Sequence, residues 1–278
     1  IKTKLDYAMR QLDQDSPFFK ADLYKKYFTL DYIQLLTGKE KGWVEEHGGI
    51  QIGFLNNDPA IFSMDETTGK LTGMLPEYVS YAKDCLGNQT LKFNIQDYDD
   101  YDEMLQALQN HEIDMIFYAG RNPDIAEKKG YALTNTAWTY NLMAVTDEKN
   151  FDEGNVYTVA VPKEKEALKQ QLTFSYPQWN LVDYDSFEEA AEMITNEKAD
   201  CFLMGASQAM VYDNNRDFKS VPLTKTMEAC FAVKGGEGTL LSILNKTLKG
   251  MPSGMLTSAL AIYDSTADKV TFLDFVKD

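Results

Sequence analysis

The chain has 278 residues, 44% hydrophobic and 25% charged, enough to bury a substantial core in one large domain or two ordinary ones. Its 43 acidic against 27 basic side chains leave a formal charge of −16 spread along the chain, which argues against nucleic acid or an anionic lipid surface as a partner. No apolar run approaches the ~18 residues that span a bilayer; the longest, such as "MIFYAG" and "CFLMGA", are strand-sized.

The chain starts at Ile1 with no Met, signal peptide or lipobox cysteine, which reads as a piece cut from something longer. Residues 1 to 47 read as a helical extension: "IKTKLDYAMRQLDQD", "PFFKADLYKKYFT" started by Pro17 after Ser16, and "LDYIQLLTGKEKGWVEEHG". From "IQIGFL" onward the chain alternates. A strand leads to the helix "LPEYVSYAKDCLG", with Gly87 as its stop, and then to the strand "LKFNI".

Next comes "DYDDYDEMLQALQNHEIDMIF" from Asp97, which is paraphrased without a gap by "DYDSFEEAAEMITNEKADCFL" from Asp183. Each copy ends a strand, caps a helix with Asp or Ser, places acidic residues in its first turn and spaces apolar residues helically. A short apolar run follows in each, the mark of a buried parallel strand. The second copy has a matching prelude in "VYTVAVP", "KEKEALKQQL" and "NLVDY". Two equivalent α/β lobes are therefore expected.

"TNTAWTYNLMAVT" going out and "KSVPLTKTMEACFAVKGG" coming back are rich in β-branched and aromatic residues and read as two strands crossing between lobes. Lobe 1 would comprise residues 48–137 and 230–278, and lobe 2 residues 138–229. Two helices, "TLLSILNKTLKGMP" and "GMLTSALAIYD", and a strand-like "KVTFLDFV" would close lobe 1.

Enzyme signatures are missing: no G-x-S-x-G, P-loop, G-x-G-x-x-G or H-E-x-x-H occurs. His47 and His111 read as helix-end residues, and Cys85, Cys201 and Cys230 as small buried apolar side chains, with a disulfide between two of them left open. Neither a cofactor nor a metal is expected, and the chain reads as non-catalytic.

Five pieces in order, "GGIQIGFLNNDPAIFSMDETTGKLTGMLPEYVSYAKDCLG", "YDEMLQALQNHEIDMIFYAG", "YALTNTAWTYNLMAV", "DYDSFEEAAEMITNEKADCFL" and "EACFAVKGG", resemble the extracellular solute-binding proteins of amino-acid type, with the type II periplasmic-binding-protein fold. The extension resembles the tail of an upstream copy and a junction between tandem copies. Such tandems occur in membrane-anchored bacterial sensors with a histidine kinase or cyclase-type output. The resemblance thus implies two Rossmann-like lobes on a two-strand hinge, outside the cytoplasmic membrane. The partners it implies are a small polar solute such as an amino acid, an upstream solute-binding domain, a downstream transmembrane signalling module and, in the full-length protein, a second copy. An ABC importer subunit, or a domain that only transmits or dimerises, are the alternatives.

In this fold the ligand lies between lobes at the carboxyl ends of the strands. That nominates Asn57, Asp58 and Phe62 after the first strand, Tyr118, Gly120 and Arg121 at the end of the strand "DMIFYAG", and Trp138 at the hinge. Lobe 2 would add Pro162, Lys163, Met204 and Gly205. Arg121 would hold a carboxylate in a bidentate pair, or pair with Asp124 in solvent. Two anchors of the amino-acid binders are absent: Glu127 stands near the place of the family's loop arginine, and "MGASQ" replaces an acidic residue near Gly205. An ordinary α-amino acid is thereby put in doubt.

Overall fold

The computed structural model describes residues 36–56, 60–64, 71–86, 91–148, 150–163, 165–206, 209 and 218–267. The helices read over residues 1–29, the Gly87 stop, Asn57, Asp58 and the strand-like run at 269–276 lie outside the described residues.

In chain order the elements are α1 (Gly38–His47), β1 (Ile50–Leu55), β2 (Ser63–Met64), β3 (Leu71–Thr72), α2 (Met74–Cys85), β4 (Phe93–Tyr98), α3 (Tyr101–Gln109), β5 (Met115–Gly120), α4 (Pro123–Lys129) and the long β6 (Tyr131–Tyr140). The second lobe follows with β7 (Leu142–Thr146), β8 (Thr158–Pro162), α5 (Glu166–Ser175), β9 (Asn180–Tyr184), α6 (Phe187–Thr195), β10 (Cys201–Gly205) and β11 (Lys219–Pro222). The chain returns through β12 (Met227–Lys234) to α7 (Gly238–Gly250) and α8 (Met255–Ala267).

Two five-stranded mixed sheets result, ordered β4-β1-β5-β12-β6 and β11-β7-β10-β8-β9. Read from opposite ends they are the same sheet. Three strands run parallel in each (β4, β1, β5 and β9, β8, β10), and the two hinge-side strands pair antiparallel. The chain leaves the first sheet after Tyr140 and rejoins it at Met227, so the sheets change at Asn141 and between Pro222 and Met227.

The repeated sequence performs repeated work. Asp100 and Ser186 cap α3 and α6 by accepting the N–H of Glu103 and Glu189. Asp114 and Asp200 each accept a backbone N–H from the first two residues of the neighbouring strand, Gln51 at 2.7 Å and Thr158 at 2.6 Å. Even the left-handed residue after the helix recurs, at His111 (φ 60°) and Glu197 (φ 55°).

Helices cover both faces of each sheet, as buried parallel strands require. In lobe 1 one face packs Tyr78, Phe117, Phe231 and Trp138 with α2, α7 and α8, and the other packs α3 against Ile116 and Ala232. Burial raises the Tyr78 phenol well above its ordinary value, and its hydroxyl meets Thr247 at 2.8 Å. All three cysteines are buried free thiols.

Helix α1 docks on lobe 1 rather than standing apart. Thr37 and Glu40 form a capping box, and the Glu40 carboxylate also accepts from Ser242 and Lys246 of α7.

Candidate functional site

Between the lobes lies a cavity of about 340 Å³, reached from four directions. Lobe 1 supplies Ile61 and, at the end of β5, Tyr118; the hinge strand β6 supplies Trp138, Thr139 and Tyr140. Lobe 2 supplies Pro162 from the end of β8, Lys165 and Leu168 from α5, and Leu203 to Ala206 from the end of β10. Helix α8 closes the remaining side with Thr257, Leu260 and Ala261.

The strand ends converge because every parallel strand runs toward the facing lobe, so its carboxyl end and the residues just beyond it meet those of the other sheet. Trp138, 4% exposed, is fixed by an edge-on contact with Tyr118 at 4.9 Å and by Phe117 at 5.6 Å. Thr257 donates to the Thr139 carbonyl at 3.3 Å and so ties α8 to the hinge. The lining residues are mostly aliphatic and aromatic; those that carry polar side-chain groups are Tyr118, Trp138, Thr139, Tyr140, Asn141, Lys165 and Thr257. No carboxylate lines it among the described residues.

Of the nominated residues, the structure brings Tyr118, Trp138, Pro162, Met204 and Gly205 together around this cavity. Phe62 packs on Phe54 at 4.9 Å, and its neighbour Ile61 faces the space instead. Arg121 turns away: its Nε meets Glu228 at 3.0 Å and its Nη1 donates to Thr136 at 3.2 Å, which holds it on the hinge strands. Its partner is thus Glu228 of β12 and not Asp124. Beside it, burial pushes the Cys230 thiol up to about 11 although the guanidinium opposes that.

Lys163 pairs with Asp185 at 3.5 Å and lines a separate polar crevice of about 300 Å³ with Asp99, Asp100, Asp102, Lys129 and Glu166. Gly120 lines neither space and lies directly beneath α5, against Ala167 and Gln171.

The sequence reading missed Lys165, Leu168 and the α8 wall. Lys165 is the N-cap of α5 and Leu168 lies in its first turn, and nothing local marks the inner face of α8. Among the described residues no cluster of histidine, cysteine or carboxylate side chains could hold a metal, and no helix is long and apolar enough to cross a membrane.

The family model for bacterial extracellular solute-binding proteins, family 3, matches residues 50–259. The chain belongs to that family. The virulence sensor protein BvgS of Bordetella pertussis is 23% identical over 238 residues, which cover 81% of this chain but 18% of BvgS. The chain therefore spans under a fifth of that relative's length. The crystal structure of the BvgS periplasmic VFT2 domain superposes with a TM-score of 0.60 at 23% identity, covering 82% of this chain and 98% of that one. A mutant of ArgBP from T. maritima gives 0.52 at 19% identity, covering 81% and 99%. This chain shares the fold of these solved structures, two α/β lobes about a hinge.

Proposed function

We propose that this chain is an extracytoplasmic sensor domain that holds a small solute in the cavity between its lobes and reports occupancy by lobe closure to a membrane-linked output module. The observation that carries this reading is that both lobes, the hinge strand and the last described helix all line one cavity. A solute touching both lobes favours the closed form by its differential affinity for that form. The similarity to a tandem sensor such as BvgS favours a sensor over an importer subunit, and supports an upstream solute-binding domain and a downstream signalling module as partners. The role is non-catalytic.

The cavity chemistry narrows the solute. A zwitterionic α-amino acid needs a cation and an anion at its two poles. The described wall offers Lys165 and no carboxylate, around aromatic and aliphatic surface. The reading is a solute with an apolar body, held against Trp138 and Tyr118, and with few polar groups.

Thermal unfolding against a panel of apolar, carboxylate, polyamine and amino-acid solutes tests this. Solute at ~100 times its Kd should add about 2.7 kcal/mol, roughly 5 to 10 °C for a domain of this size. A shift with α-amino acids alone would overturn the ligand class. No shift across the panel would count against solute binding itself.

A further inference from the structure

The two segments that join the lobes are held almost up to the point where they pass each other. On the outgoing one, Tyr140 makes the last rung of the first sheet, opposite Met227, and Leu142 makes the first rung of the second, opposite Gly205. Asn141 stands between the two ladders. The returning segment is longer, yet lobe 2 keeps hold of most of it. Pro222 pairs with Met143, and the Leu223 N–H donates to the Leu142 carbonyl. Glu153 of lobe 2 accepts both the N–H of Thr224, at 2.5 Å, and its hydroxyl, at 3.0 Å. The Lys225 ammonium donates to the Ser175 carbonyl at the end of α5 and lies 4.5 Å from the centre of the Tyr176 ring. Thr226 is the residue left before the first sheet resumes at Met227.

These two leftover residues meet. The Thr226 hydroxyl donates to the Asn141 Oδ1 at 3.2 Å, while the Asn141 carbonyl accepts the Ala206 N–H at 3.3 Å from the end of β10. Apolar contacts cross at the same place, since Met227 is buried in the core of lobe 2 and Tyr140 packs against both cores. Apolar burial is non-directional and tolerates a turn of one lobe against the other. A hydrogen bond weakens steeply with angle and does not. Asn141 also lines the cavity, together with Tyr140 and Leu142, whereas Thr226 does not.

We infer that Asn141 and Thr226 are the pivot of this protein, one residue on each crossing, and that the hydrogen bond between their side chains sets the angle of the lobes. Turning lobe 2 moves these two side chains relative to each other, so the bond is kept at one lobe angle and lost at others. Whatever fills the cavity then touches the pivot itself as well as the lobes on either side of it. The inference concerns the joint, holds with the cavity empty and does not rest on the solute reading.

The test is double electron–electron resonance on the 278-residue chain without added solute, with nitroxides on Lys128→Cys of α4 and Glu192→Cys of α6. Both positions are exposed, and the three native thiols are buried. Thr226→Ala removes the bond without altering the cavity wall, Asn141→Ala removes it from the other side, and Thr226→Ser keeps the hydroxyl. Thr173→Ala, which deletes a hydroxyl bonded within α5, is the control. The pivot predicts a wider interlobe distance distribution for Thr226→Ala and Asn141→Ala, with cooperative melting retained. The double variant should be no wider than either single one, because both delete the same bond. Thr226→Ser and the control should match the wild type. Unchanged distributions in both alanine variants, or a Thr226→Ser distribution as wide as that of Thr226→Ala, would overturn it.

Discussion

Replacing Glu40 by Gln should cost stability in a way that depends on pH. Glu40 is 4% exposed; burial alone would raise its pKa, but Lys246, the Thr37 N–H and hydroxyl, and the Ser242 hydroxyl outweigh that and hold the carboxyl at about 2 rather than 4.5. A group so depressed contributes about 3 kcal/mol at neutral pH. Because the folded carboxyl titrates below the unfolded one, this contribution is complete above about pH 5 and fades as the pH falls toward 2. Gln keeps an acceptor oxygen of the same size, so the comparison isolates the charge. Urea unfolding of both proteins across this range should show a difference of about 3 kcal/mol at pH 7 that shrinks toward zero near pH 2. At neutral pH the variant should also exchange the amide hydrogens of α1 faster, with those of β1 and β5 unchanged. A difference that stays constant with pH would refute the reasoning, since it would assign the loss to packing instead of charge.

Gly53→Ala would place a Cβ 2.5 Å from the Ile113 Cδ1 atom, and overpacking of this kind costs about 1 to 3 kcal/mol. Ile113→Val removes that methyl, so the double variant should recover part of the loss in a mutant cycle. Asp114→Ala and Asp200→Ala should each cost about 1.5 to 3 kcal/mol by freeing a strand N–H from a charged acceptor, with similar values measured by denaturant unfolding. Cys85, Cys201 and Cys230 should remain unmodified by a thiol reagent in the native protein and react together on unfolding. They are buried, and burial raises the Cys201 and Cys230 thiols.

The two-lobed fold was legible in the sequence because each lobe writes its local rules in the same order. Asp100 and Ser186 announce helices, Asp114 and Asp200 precede buried strands, and the apolar spacing of Met104, Leu105 and Leu108 recurs at Ala190, Ala191 and Ile194. These signals act over a few residues, so a sequence displays them. The cavity was legible only where the fold rule reaches, at strand ends such as Tyr118, Pro162 and Met204. Arg121 escaped it because its partner Glu228 sits on a strand that returns only after the whole second lobe. The side chain's choice between cleft and hinge is decided by that distant carboxylate. Likewise Thr257 and Leu260 reach the cavity through the tertiary position of α8, which no pattern within the helix records.

The path into and out of lobe 2 has a consequence for how such a protein can change. The Leu223 N–H donates to the Leu142 carbonyl at 3.0 Å, so the chain leaves the second lobe beside the point where it entered. Everything between those two residues is a cassette with adjacent ends, and the described chain on either side of it belongs to lobe 1. A different cassette could be spliced across Asn141 and Thr224 without moving α1 or α8, the elements nearest the ends of the described chain. Half of the cavity wall would then be rewritten while the attachments to the rest of the molecule stayed as they are.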